Sequence, residues 1–223
     1  MRTLITSLLL VILFSNNIAT AGVIIEGTRI VYPEGNKEVN IVLDNQDKSP
    51  FLIKTWIENT DFKDSHFLIT PPLFRLDSKQ KSTVRIFKTN NSLPTDRESL
   101  FYFNAMSIPS ADTSKENTLQ IAIRSRLKFF YRPKMLNEQY PEDVTDKLSW
   151  QNVNGKLSIS NPTPYYMNFS YISVAGKKIQ DANLAAPLST TELTLPDGVS
   201  VGEIEWKIIN DMGGIGPVHK AKL

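Results

Sequence analysis

The sequence has no cysteine and only two histidines, His66 and His219, in 223 residues. The first absence excludes disulfides, thiol chemistry and cysteine-ligated metal, so burial and backbone pairing must supply the stability. The two histidines stand in no metal-ligand spacing, and a lone histidine in a β-rich chain is ordinarily structural or exposed. There is no Gly-x-Ser-x-Gly elbow and no phosphate-binding glycine loop, and Gly213-Gly214 with Gly216 reads as a turn. Because no pattern places a base beside a nucleophile, the chain is read as non-enzymatic, without cofactor or metal. A surplus of charge is lacking too. Removing Arg2 from 25 basic residues leaves 24 against 23 acidic ones, a charge of about +1, which predicts no general affinity for nucleic acid or lipid surfaces.

Long apolar runs are equally scarce. The one near the start covers residues 4–14, follows Arg2 and precedes Ala19-Thr20-Ala21. Its 11 residues fall short of the roughly 20 needed to span a bilayer, so residues 1–21 read as a secretory signal cleaved before Gly22. No later segment is apolar long enough to span, and the mature chain is expected to be soluble outside the cytoplasm without stable membrane insertion.

What remains is β patterning: short alternating or β-branched runs separated by turn-formers every eight to twelve residues. Strands are predicted over 23–31, 39–43, 51–57, 67–70, 82–88, 99–107 and 119–131, which suits one immunoglobulin-like sandwich. A second series follows over 155–160, 166–174, 190–195 and 201–210. Between the two, 132–141 carries two prolines and reads as a connection. The expectation is an all-β protein of two domains, 22–140 and 141–223.

The last strand of the first series is unusual. Over 119–131 the odd positions are Leu119, Ile121, Ile123, Ser125, Leu127, Phe129 and Tyr131, while Arg124, Arg126 and Lys128 stand at even ones. At about 3.3 Å per residue this reaches roughly 40 Å, twice the usual strand. Alternation alone fits a long core strand with a solvated basic face. A sharper reading is an edge strand, guarded by its cations, that docks onto a partner.

Neighbouring residues bear on that choice. The stretch Leu93-Pro94-Thr95-Asp96-Arg97-Glu98-Ser99-Leu100-Phe101-Tyr102-Phe103-Asn104, closing at Ile108-Pro109, resembles the signature of periplasmic chaperones of the chaperone/usher pilus-assembly pathway. Thr70-Pro71-Pro72, Phe130-Tyr131-Arg132-Pro133, Asn161-Pro162-Thr163-Pro164-Tyr165-Tyr166, and Asn210-Asp211 before Gly213-Gly214 match in order. Ala105 departs mildly, standing where the family usually has a larger aliphatic residue.

The resemblance implies two immunoglobulin-like domains in an L or boomerang arrangement, with a subunit-binding cleft between them. It implies partners, namely pilus or fimbrial subunits whose own sandwich lacks a final strand, and an outer-membrane usher that receives them. The chaperone would supply main-chain partners along the open edge and insert Leu119, Ile121 and Ile123 into the subunit's groove. By family position, Arg29 and Lys128 would anchor the subunit's C-terminal carboxylate. Lys128 has the opposite parity to the aliphatics, so it should face elsewhere, or a bulge should intervene. Glu98, Arg132 and Asp211, with Arg75 as a weaker candidate, would form interdomain salt bridges. The loop over 110–118 resembles the short-loop branch of the family (PapD-like). Two other classes stay open: an exported ligand-binding sandwich, and a pilus subunit, although a subunit should carry a donor extension ahead of one incomplete sandwich. Self-association through the exposed strand would also cover the edge.

Overall fold

The structure, a computed structural model, describes residues 22–59, 66–89, 92–110, 119–181 and 184–223. The expected signal at 1–21 and nearly all of the 110–118 loop lie outside the described residues.

Alternation organises the first half. In β3 (Val39–Asn45) and β7 (Lys81–Lys88) the inward residues Ile41, Leu43, Val84 and Ile86 are buried, and across the sandwich they meet Ile53, Phe103 and Phe129. The remaining strands are β1 (Val23–Ile25), β2 (Arg29–Pro33), β4 (Phe51–Glu58), β5 (Phe67–Thr70), β6 (Leu73–Leu76), β8 (Ser99–Pro109) and β9 (Ile123–Arg132). They form a sheet in the order β1-β3-β7-β5 packed on one in the order β2-β9-β8-β4-β6. Two sheets with interdigitated aliphatic and aromatic inner faces make an immunoglobulin-like sandwich.

The run expected as one strand over 23–31 is two. It breaks at Glu26-Gly27-Thr28, where Gly27 takes a φ of 102°, a conformation that glycine adopts without strain. The break sends β1 to pair with β3 in one sheet and β2 to lie parallel to β9 in the other.

The second half holds a short helix α1 (Pro141–Val144), then β10 (Ser149–Val153), β11 (Lys156–Asn161), β12 (Met167–Val174), β13 (Lys177–Lys178), β14 (Leu184–Ala185), β15 (Ser189–Thr194), β16 (Glu203–Ile208) and β17 (His219–Lys222). The sheets run β10-β11-β15 and β13-β12-β16-β17, with β14 also on β12. Their core is centred on Trp150 and Trp206, whose rings lie 4.9 Å apart. Strands β6, β10, β13, β14 and β17 were not anticipated. They are short or polar, and backbone pairing to a patterned neighbour defines them; β17, His219-Lys220-Ala221-Lys222, is held by its ladder to β16.

The connecting segment is more structured than its composition suggests. A 3-10 turn over Lys134–Leu136 buries Leu136 in the second core, and Tyr165 Oη donates to the Leu136 carbonyl at 2.8 Å. Leu100 and Phe130 of the first sandwich pack on Tyr166 of the second, with Val31, Leu184 and Ala186 around them. This small apolar contact joins the two sandwiches.

Candidate functional site: the open end of β9 and the cleft at its base

Strand β9 changes character along its length. Over 128–132 it is an interior strand, with β2 parallel on one side and β8 antiparallel on the other. Over 123–127 it pairs only with β8 among the described residues. The expected edge over 119–131 is therefore an edge only as far as residue 127, because β2 occupies its flank from Lys128 onward. The ladder begins at Ile123, and residues 119–122 run ahead of it outside any strand.

Register explains what that open end presents. The pairing to β8 runs without a shift from Ser107↔Ile123 to Ser99↔Tyr131, so odd positions keep one face throughout. At the closed end this face is core, with Phe129 fully buried. Toward the open end this face leaves the sandwich at Ile123, which is 58% exposed, and ahead of the ladder Ile121 and Leu119 are 65% and 87% exposed. Three exposed aliphatic side chains thus stand at the open end of the ladder and just ahead of it.

The even positions face the other way, and no bulge is needed to place Lys128 apart from the aliphatics. Arg124 and Arg126 both bond Glu58 Oε2, at 3.0 and 2.9 Å, and Arg124 Nε also donates to Asn104 Oδ1 at 2.9 Å. The Arg126 guanidinium lies 3.5 Å from the ring centre of Tyr102, a cation–π stack. The basic face is therefore engaged with its own sheet.

Lys128 sits at the point where the edge closes. Its register partner across the parallel ladder is Arg29, the first residue of β2. Lys128 Nζ donates to Asn168 Oδ1 of β12 at 2.9 Å, and Arg29 Nη1 donates to the Ile209 carbonyl at 3.0 Å, so both cations reach the second domain. Burial, then the charge of Arg29, push the Lys128 ammonium down to about 8. Burial also lowers the pKa of Arg29, opposed by Asp211 and Glu142. Arg29 Nε is buried with no partner among the described residues. Two half-buried cations and an unsatisfied donor make a local environment that a carboxylate would stabilise.

On the far side of β9, Arg132 is nearly enclosed. Its Nε donates to Glu98 Oε1 at 2.8 Å, and Nη1 and Nη2 donate to the two oxygens of Asp211 at 2.6 and 2.9 Å. The other Glu98 oxygen accepts the Tyr166 backbone N–H at 2.8 Å. Burial pushes the Glu98 carboxyl up, against Arg132 and that N–H. Burial also works against the Arg132 charge, but Asp211 and Glu98 outweigh it and hold the guanidinium protonated. The structure thus brings Glu98 and Arg132 of the first domain to Asp211 of the second. Arg75 is not among them: it lies exposed on β6 and pairs with Asp77, two residues away, at 2.6 Å. Its place on a short strand at the opposite margin of the sheet excludes it from the cluster.

Reading the sequence did not single out Asn168, the Ile209 carbonyl or the Tyr166 N–H. Two are backbone groups, which carry no residue signature. Asn168 follows the Pro-Thr-Pro-Tyr-Tyr motif, so its position carried the only available hint. The histidines are structural: His66 Nε2 lies 3.0 Å from Ser92 Oγ, and His219 stacks on Trp206 with Nδ1 2.6 Å from Asp146.

Two immunoglobulin-like sandwiches clamped by a shared ion cluster, with an apolar strand end running off one of them, define a two-domain β-sandwich binding protein. Family models match both halves: residues 22–137 fit the pili and flagellar-assembly chaperone PapD N-terminal domain, and 143–220 the pili assembly chaperone PapD C-terminal domain. The chain is 44% identical over 200 residues to the chaperone protein FocC of Escherichia coli, covering 87% of each chain. Among solved structures, the SafB chaperone in complex with the SafA pilin of Salmonella enterica aligns with a TM-score of 0.84 at 32% identity, over 91% of this chain and 96% of the other. The periplasmic chaperone SfaE aligns at 0.76 with 38% identity, over 89% and 98%. The chain belongs to the pilus-assembly chaperone family.

Proposed function

We propose that this chaperone acts in the periplasm, where it captures pilus subunits by strand addition along 119–127 and hands them to an outer-membrane usher. The mature chain would begin at Gly22, with the division between domains near residue 140. The observation that carries this reading is the exposed aliphatic run at the open end: Ile123 shares the face of Phe129 in the ladder, and Leu119 and Ile121, spaced by two ahead of it, would extend that face into a subunit's open groove once paired.

The cation pair supports a defined register. A strand added to the free flank of 123–127 runs into β2, which begins at Arg29 opposite Lys128. Its chain must therefore end there, and a C-terminal carboxylate at that end would meet both cations with charge-assisted hydrogen bonds. Such a strand runs parallel to β9, continuing the line of β2. The Glu98–Arg132–Asp211 cluster would hold the angle between the domains so that Arg29 and Lys128 face one space.

Magnitudes suit a grip that can be released. Burying three aliphatic side chains gives roughly 5 to 9 kcal/mol. Each charge-assisted hydrogen bond adds about 1.5 to 3 kcal/mol. Association costs at least several kcal/mol. A better-fitting strand from a following subunit can then displace the chaperone without a nucleotide.

The test is co-expression in a bacterial periplasm with a pilus subunit, scoring soluble one-to-one complex for the native chain, the L119D/I121D variant, R29A and K128A. Capture by the native chain and loss in all three folded variants is expected. Capture that survives L119D/I121D would remove strand addition from the account, and capture that survives R29A and K128A would remove the anchor.

A further inference from the structure

The turn after β16 meets the first domain through three contacts among the described residues. It is itself rigid. The Asn210 N–H donates to the Gly214 carbonyl at 2.9 Å, the Gly213 N–H to the Asn210 carbonyl at 2.9 Å, and the Gly214 N–H to Asn210 Oδ1 at 2.8 Å. Ile209 and Ile215 bridge its base. From this turn the Ile209 carbonyl receives Arg29, Asp211 receives Arg132, and the bare Cα of Gly213 lies against Thr28. A Cβ at 213 would fall deep inside van der Waals contact of Thr28 Oγ1 and 3.5 Å from Thr28 Cβ. Thr28 is the residue that precedes Arg29.

We propose that Gly213 is a positioning residue for the carboxylate anchor: its missing side chain lets the turn seat on Thr28, and that seat fixes where Arg29 stands beside Lys128. The inference rests on the reading of Arg29 and Lys128 as the anchor. The two-bond Arg132–Asp211 pair fixes the domains on the far side of β9, but Arg29 has several rotatable torsions and its single bond to Ile209 can follow a range of positions. A backbone-to-side-chain contact cannot. Thr28 has two heavy atoms on its Cβ, so only one of its three staggered χ1 wells would turn a hydrogen toward a methyl at 213. Otherwise the turn and Thr28 must part by on the order of 1 Å, enough to misalign hydrogen bonds to a bound carboxylate.

The test uses the full mature chain and a short synthetic peptide of alternating apolar and polar residues, made with a free C-terminal carboxylate and as the carboxamide. The readout is the ratio of the two affinities, which a merely structural lesion would not move. The native chain should prefer the carboxylate by about tenfold or more. In G213A the ratio should fall to within about twofold of unity, whereas T28A/G213A should recover to within about threefold of T28A. Gly213 has a φ of 85°, and the strain of an alanine there is common to both backgrounds, so the cycle isolates the contact with Thr28. Should G213A not accumulate as folded protein, T28I places the added carbon on the first domain's side and is read in the same way. A ratio that survives both wedges, or that G213A lowers equally in the native and T28A backgrounds, overturns the inference while leaving the anchor intact. A native chain that does not distinguish carboxylate from carboxamide overturns the anchor itself, and this inference with it.

Discussion

The two ends of β9 share one alternation and differ in everything around it. At 128–132 the strand is flanked on both sides and covered on both faces: Phe129 and Tyr131 enter the core, while Phe130 packs under Tyr166. At 123–127 one flank is free among the described residues, and Ile123, with Ile121 and Leu119 ahead of it, is exposed. Period-two patterning fixes which residues share a face; whether that face is core or interface depends on how far the neighbouring strands extend. Here β2 starts at Arg29, and the change of character falls at Lys128. The cations stand where intramolecular pairing ends.

Truncation at each end should separate the two roles. Phe129→Ala removes a buried ring in edge-to-face contact with Phe67 at 4.7 Å and should cost about 3 to 5 kcal/mol in urea unfolding of the first domain. Glu98→Ala should cost a similar 3 to 5 kcal/mol or so, because it leaves the buried Arg132 and the Tyr166 N–H short of an acceptor. A loss of under about 1 kcal/mol would mean that the cluster behaves as surface charge and does not clamp the domains.

At the open end the same chemistry should hardly register in the free protein. Ile121→Ala should change unfolding free energy by no more than about 0.5 kcal/mol. Its affinity for a pilus subunit should nonetheless fall about 10- to 100-fold, the equivalent of burying one aliphatic side chain. Titration of labelled subunit against native and variant chains reads this directly. An Ile121→Ala variant with native affinity and lowered stability would reverse the assignment of the two ends.

How much of this was legible follows from which interactions leave a periodic trace. Residues of β3, β4 and β7 alternate because each has one face in a core, and these strands, like the more fully buried β8 and β12, were anticipated within a few residues. The 23–31 run failed because Val23, Ile24, Ile25, Ile30 and Val31 look continuous, while the sheet switch is made by the backbone of Gly27. Strand β17, with two lysines, has little apolar signal to read. In the site, Arg29, Lys128, Glu98, Arg132 and Asp211 were reached through motif position, whereas Arg75, the weaker candidate outside the matched motifs, pairs with Asp77 instead. The Asn168 acceptor and the Ile209 carbonyl belong to a distant domain, and only folding brings them to Lys128 and Arg29.

The smallest effect is also the most discriminating, because it should carry opposite signs for stability and for binding. Burial and Arg29 hold the Lys128 ammonium at about 8, below the ordinary lysine value of 10.5. Between those values the unfolded chain binds a proton that the folded chain does not, so this group should make the free protein more stable as pH rises from about 8 to 10. A bound carboxylate favours the charged form, so subunit affinity should move the other way, falling by at most about tenfold between pH 7 and 9. Charges from other elements enter through Arg29, which faces Asp211 and Glu142. Lys128→Met should flatten both profiles. Parallel unfolding and subunit-binding series over this interval provide the check, and a native chain whose affinity holds constant from pH 7 to 9 would place the carboxylate away from Lys128.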